Sequence, residues 1–174
     1  MAQIQGKLKL RAEKIAFLEM PETSGIPEGT CNRMQGFTSL STSKNPREYT
    51  RQYVDETMEQ TDVTGYSPSM AFAFDTYTGN AVHDYLAELI DNEVIGTAAV
   101  VNILTVDMNI DPEEANNAVM RSYSVIADNE GDSMDAYTYS GNFRVKGPNI
   151  YGKATLDDEE LTATFVPDSE EEGP

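Results

Sequence analysis

Large and small side chains alternate along much of this chain, the mark of half-buried strands rather than helices. Met70, Phe72 and Phe74 fall on one side and Ser69, Ala71 and Ala73 on the other, which predicts a strand with one bulky face. Ile15–Met20 is a short apolar run that stops at Pro21 and reads as a strand, not as a helix cut off by proline. Met34–Thr42 is mixed but β-like, and Lys44-Asn45-Pro46 ends it. Ala98–Val106 is apolar on both faces, as expected of a central strand covered on both sides. Val119–Ala127 and Ala136–Val145 are two further runs, joined by the acidic connection Asp128–Asp135. In the second run Gly141 interrupts the face made by Tyr137, Tyr139, Phe143 and Val145, which predicts a bulge or a close backbone approach. Gly147-Pro148-Asn149 leads into Tyr151–Leu156, and Asp157–Glu160 leads into Leu161–Val166.

One segment has a helical period. Val82, Tyr85, Leu86, Leu89 and Ile90 form a single apolar stripe within Ala81–Asn92, opposite Asp84, Glu88 and Asp91, with Asn80 placed to cap the N-terminus. Residues 21–30 and 64–69, rich in Pro and Gly, read as loops, and Asn109–Asn117 reads as a loop or a short helical turn. The pattern predicts a mainly β fold, a β-sandwich or barrel of about eight strands with a flanking amphipathic α-helix at about 81–92. Residues 1–166 would form a single domain and residues 167–174 a disordered acidic tail.

Arg47–Met58 does not fit a core. Arg47, Tyr49, Arg51, Tyr53 and Asp55 alternate with Glu48, Thr50, Gln52, Val54 and Glu56, so both faces are largely polar. Such a strand either projects into solvent as half of a hairpin or is completed by another subunit, unless it is simply an edge blunted by charge.

Charge narrows the classes of function. The 174 residues carry 12 Lys+Arg against 30 Asp+Glu, a net charge of −18, which disfavours tight binding of nucleic acid. Residues 1–51 hold eight basic and five acidic side chains, whereas residues 52–174 hold four and twenty-five. That asymmetry suits a protein whose front meets the back of another copy, and equally a merely solvated surface.

Cys31, the one cysteine, permits no intrachain disulfide, and with the one histidine, His83, it cannot build a thiolate or imidazole metal cage. His83 is placed on the polar border of the helix with no nucleophile suggested beside it, so no catalytic role is expected. An EF-hand loop starting at Asp128 would put Ser133 and Tyr139 where glycine and glutamate are needed. Phosphate-cradling glycine motifs are missing, and the absence of Trp makes sugar chemistry a poor candidate. The chain is therefore expected to be a structural protein, not an enzyme, with no cofactor. Met1–Leu10 lacks the apolar core of a signal peptide, and Val94–Leu104 is too short to span a bilayer, so a soluble product made in a cytoplasm is expected, without membrane insertion.

Together, Gly36-Phe37-Thr38-Ser39-Leu40, Lys44-Asn45-Pro46, the polar strand ending at Asp55, Thr61-Asp62-Val63-Thr64-Gly65-Tyr66-Ser67-Pro68-Ser69, the helix from Asn80, and Ala127–Asp132 through Asp135–Asn142 resemble the major tail tube proteins of long-tailed bacteriophages and related phage-tail-like particles. The likeness runs from about Thr30 to Val166. It implies six copies per ring, with rings stacked into a hollow tube that conducts genome DNA during ejection. It also implies a long hairpin, here at about 41–67, that reaches to the neighbouring ring. Arg47, Tyr49, Arg51 and Tyr53 would then form an inter-ring interface, and Glu48, Gln52 and Glu56 a row facing the tube's lumen. Implied partners are further copies of the chain, tail-tip or baseplate and tail-terminator proteins, the tape-measure protein and a sheath, with double-stranded DNA passing without adhesion; the implied location is the virion tail. The lead Met1–Pro27 and the acidic tail depart from the family pattern. Competing readings are a carbohydrate-binding or adhesion β-sandwich module and a related ring protein of the same particle, such as a tail terminator.

Overall fold

A computed structural model describes residues 6–22, 29–108, 115–157 and 159–168. Its strands are β1 (Lys14–Glu19), β2 (Thr30–Arg33), β3 (Phe37–Ser43), β4 (Pro46–Arg51), β5 (Gln60–Tyr66) and β6 (Ser69–Asp75). After the helix α1 (Ala81–Asp91) come β7 (Val100–Asp107), β8 (Asn116–Glu130), β9 (Thr138–Val145), β10 (Ile150–Leu156) and β11 (Thr162–Pro167). The fold is mainly β, as the alternation predicts, but with eleven strands among the described residues rather than about eight. The chain divides into two compact units: residues 1–35, 102–121 and 148–174 in one, and 36–101 and 122–147 in the other.

The first unit is a closed barrel. Its strands follow the order β10, β11, β2, β1, β7, β8, and β8 pairs back onto β10 from Ile150↔Met120 to Ala154↔Asn116. Closure leaves no open edge in this sheet. Residues two apart on each strand point inward: Ile15 and Phe17, Leu104 and Val106, Ala118 and Met120 are buried with Cys31, Ala154 and Ala163, and Met108, Leu156 and Phe165 pack against them. Alanine in β8, β10 and β11 is what lets Phe17 fill the interior. β2 escapes the sequence pattern because it is four residues long with one buried side chain, Cys31.

The second unit is an open antiparallel sheet in the order β8, β9, β6, β3, with α1 and the β4–β5 hairpin attached. Met70, Phe72 and Phe74 of β6 lie opposite Phe143, Gly141 and Tyr139 of β9, so one face of the sheet is aromatic. Phe72 and Phe143 stack at 4.4 Å between ring centroids. The Tyr139 hydroxyl donates to both carboxylate oxygens of Asp91 at the end of α1, at 2.9 and 3.1 Å. Desolvation and then that bond push the Tyr139 phenol up to about 12.

The Asn80 side chain accepts from the backbone N–H groups of Val82 and His83, at 3.1 and 3.2 Å, so two otherwise orphaned donors are satisfied. Asn80→Ala is expected to lower stability by about 1 kcal/mol, measured by urea denaturation. The helix buries Val82, His83, Leu86 and Leu89. His83 therefore does not lie on the polar border: it is fully buried, with its ring 4.7 Å from Phe74 and 5.8 Å from Phe37. Position 83 is one turn before Leu86, which carries it onto the buried stripe.

Strand boundaries also differ from the sequence reading. β3 begins at Phe37, leaving Met34 outside any strand, and β8 runs 15 residues, through the Asp128–Glu130 part of the expected acidic connection. Of the expected loop or turn at 109–117, residues 109–114 lie outside the described residues and Asn116 and Asn117 open β8; of the expected acidic tail at 167–174, Pro167 ends β11 and residues 169–174 lie outside the described residues.

Candidate assembly interface

The chain turns out of β3 through Asn45, whose φ of 45° is one that Asn tolerates better than most residues. The Asn45 side-chain amide donates to the Ser67 carbonyl and the Ser69 hydroxyl, each at 3.1 Å, and the Ser67 N–H donates to the Asn45 carbonyl at 3.2 Å. These bonds tie the two feet of the hairpin together. Beyond them β4 and β5 pair only with each other, as a separate two-stranded sheet.

Every residue of β4 is exposed, and of β5 all but Gly65. No burial holds this sheet, and an isolated hairpin in water is marginal at best. The polar strand read at Arg47–Met58 is real only to Arg51; residues 52–59 form the connection to β5, so Tyr53, Val54 and Asp55 lie past the strand end. Polar alternation marks no end to a strand that has no buried face.

Register decides what each face carries. Tyr49 pairs with Asp62, Arg51 with Gln60 and Arg47 with Gly65, which puts the two arginines and Tyr49 on one face together with Asp62 and Gln60. Arg51 donates to the Tyr49 hydroxyl at 2.6 Å. Among the described residues neither Arg47 nor Arg51 has a carboxylate within ion-pair distance, unlike Lys7 with Glu13, Lys9 with Asp107 and Arg33 with Glu160. Glu48 and Thr50 share the other face with Val63 and Thr61. Gln52 and Glu56 lie in the connection, where the Gln52 amide donates to the Glu56 carbonyl at 3.3 Å, while Glu48 stays in the strand. Tyr53 is beside them, its carbonyl accepting from the Glu56 N–H at 3.1 Å.

The exposed apolar side chains of the hairpin are Tyr49, Tyr53, Val54, Met58, Val63 and Tyr66. Val54 and Met58 stand almost entirely in solvent, at 108% and 76% exposure. Apolar groups this exposed on a coreless ribbon of 21 residues are what a docking element presents to a partner.

The groups that could do covalent chemistry are disposed otherwise. Cys31 is buried in the barrel, where burial and then the Glu19 charge push its thiol up to about 12, so it holds negligible thiolate at neutral pH. His83 is enclosed by aromatic rings, and its Nδ1 accepts from the Tyr77 backbone N–H at 3.1 Å, which leaves the ring no route to a substrate. Among the described residues no helix is long and apolar enough to cross a membrane.

No family model matches the chain, and no curated protein matches it in sequence. In fold it is similar to a chain of the anti-feeding prophage baseplate, in a six-fold symmetrised cryo-EM structure. The TM-score is 0.50 with 8% sequence identity, and the likeness covers 84% of this chain and 97% of that chain.

Proposed function

We propose that the protein is a structural subunit of a phage-tail-like particle, and specifically that six copies form a ring and rings stack into the tail tube. The observation that carries this reading is the β4–β5 hairpin: an exposed ribbon held by no core, with two arginines that form no ion pair among the described residues and with apolar residues in open solvent. A solitary β-sandwich that binds sugars has no use for it. A fold neighbour in a six-fold symmetrised prophage baseplate supports assembly with other proteins of such a particle. Within a ring, −18 charges per subunit would repel phosphates, so DNA would slide along the wall.

The neighbour's place in a baseplate also favours a second reading, a ring protein at the end of the same kind of particle. The two differ in the product: a tube subunit gives polymers of variable length, an end-ring protein gives single closed rings.

Hydrogen exchange tests the role of the hairpin. Amides of residues 46–66 should exchange fast in the isolated subunit and at least about tenfold more slowly in the assembly. Equal exchange in both states would rule out the hairpin as the assembling element.

A further inference from the structure

The cations of the second unit are segregated to one end. Lys44, Arg47, Arg51, Arg144 and Lys146 are all of its Lys and Arg residues, and all five are exposed at one end. That end is the hairpin and its root: Ser69 pairs with Ser43, next to Lys44, and with Arg144, and the Val145 N–H donates to the Pro68 carbonyl at 3.2 Å.

The opposite end lies six residue steps along β6, about 20 Å away. There Asp75 pairs with Thr138, and Glu130 with Tyr139, so Asp75, Asp128, Glu130, Asp132 and Asp135 gather around the β8–β9 connection, away from all five cations of this unit. This end has an apolar centre as well. Tyr77, Met134 and Tyr137 are exposed there, Met134 at 101%, and the Thr76 N–H donates to the Tyr137 carbonyl at 2.9 Å, which holds the connection beside the end of β6.

We propose that the acidic knuckle at residues 128–137, with Tyr77 beside it, is the receptor for the hairpin root of a second copy of this chain. The proposal rests on the self-assembly reading above and adds the surface that receives the hairpin. The root gathers the unit's five cations beside Tyr49 and Tyr66, against Glu48 and Asp62 as the acidic side chains of β4 and β5, whereas the knuckle's charged side chains are all acidic, so an excess of positive charge on the root meets the opposite sign. The contact is head-to-tail, and such heterologous contacts leave one free end of each kind, so that addition continues. The tip of the hairpin carries Asp55, Glu56 and Glu59, so it would be repelled by the knuckle. Contact therefore falls on the Arg47–Tyr49–Arg51 face and on Lys44, Arg144 and Lys146, with the tip reaching past them.

Complementation in trans tests this. The variants Asp132→Lys/Asp135→Lys and Arg47→Glu/Arg51→Glu are each assayed alone, and then mixed, for sedimentable assembly of the full chain, with circular dichroism confirming that each is folded. Each variant alone should lose at least about tenfold of the wild-type polymer, because like charges then face each other. Mixing should restore it, since each altered end meets a complementary one. Normal assembly by the knuckle variant, or no rescue in the mixture, would overturn the receptor assignment while leaving self-assembly intact. A wild-type chain that does not assemble would instead remove the self-assembly reading and this proposal with it.

Discussion

Gly141→Ala should destabilise the protein by about 3 kcal/mol, the upper range for overpacking a sheet core. An ideal Cβ on Gly141 would sit 2.2 Å from the Ile126 carbonyl oxygen, 3.1 Å from the Ala127 Cα and 2.9 Å from the Phe72 ring. Two of those neighbours are backbone of β8, where the register with β9 already shifts between Ala127 and Asn129, so relief would mean breaking strand pairing. Phe72 cannot swing away freely either, since it stacks on Phe143. Gly147→Ala is the control: its nearest neighbour would be the Ser122 Cβ at 3.6 Å, and the change should stay within about 0.5 kcal/mol. Urea denaturation of the two variants checks the pair. Equal stabilities would mean that Phe72 does not lie over Gly141.

Arg47→Glu/Arg51→Glu should abolish stacking while leaving subunit stability within about 0.5 kcal/mol of wild type. Both side chains are exposed and neither pairs with a carboxylate among the described residues, so the fold loses little when they change. The interface loses much more: two attractions become repulsions, and like charges placed together across an interface cost several kcal/mol. Sedimentation velocity reads assembly and denaturant unfolding reads stability. A variant that assembles normally would move the interface off this face.

Legibility in the sequence followed burial. β6 and α1 could be read because each has one face in a core, which imprints a period on the chain. Gly141 could be read because a glycine inside an aromatic strand has few other uses. Closure of the barrel could not be read, because the β8–β10 pairing joins residues 30 to 38 apart and no local pattern encodes it. The hairpin was legible as a segment with two polar faces, yet its turn was not, since polar alternation continues unchanged from β4 into the connection. His83 was misplaced because histidine is polar by composition, whereas its setting here, against Phe37, Phe74 and Tyr77, is made by residues distant in the chain or in a loop. In the sequence the knuckle is only an acidic connection between two strand runs; the strand register is what places it at the end of β6 opposite the hairpin root.

Negative-stain electron microscopy of the purified full chain tests the central claim most directly. The protein is concentrated at raised salt, which screens the −18 charges beyond about 8–10 Å while leaving close contacts in place. The account predicts uniform hollow tubes; single six-fold rings that do not stack would favour the end-ring reading instead, and monomers alone, even with tail-tip components added as a nucleus, would contradict assembly altogether.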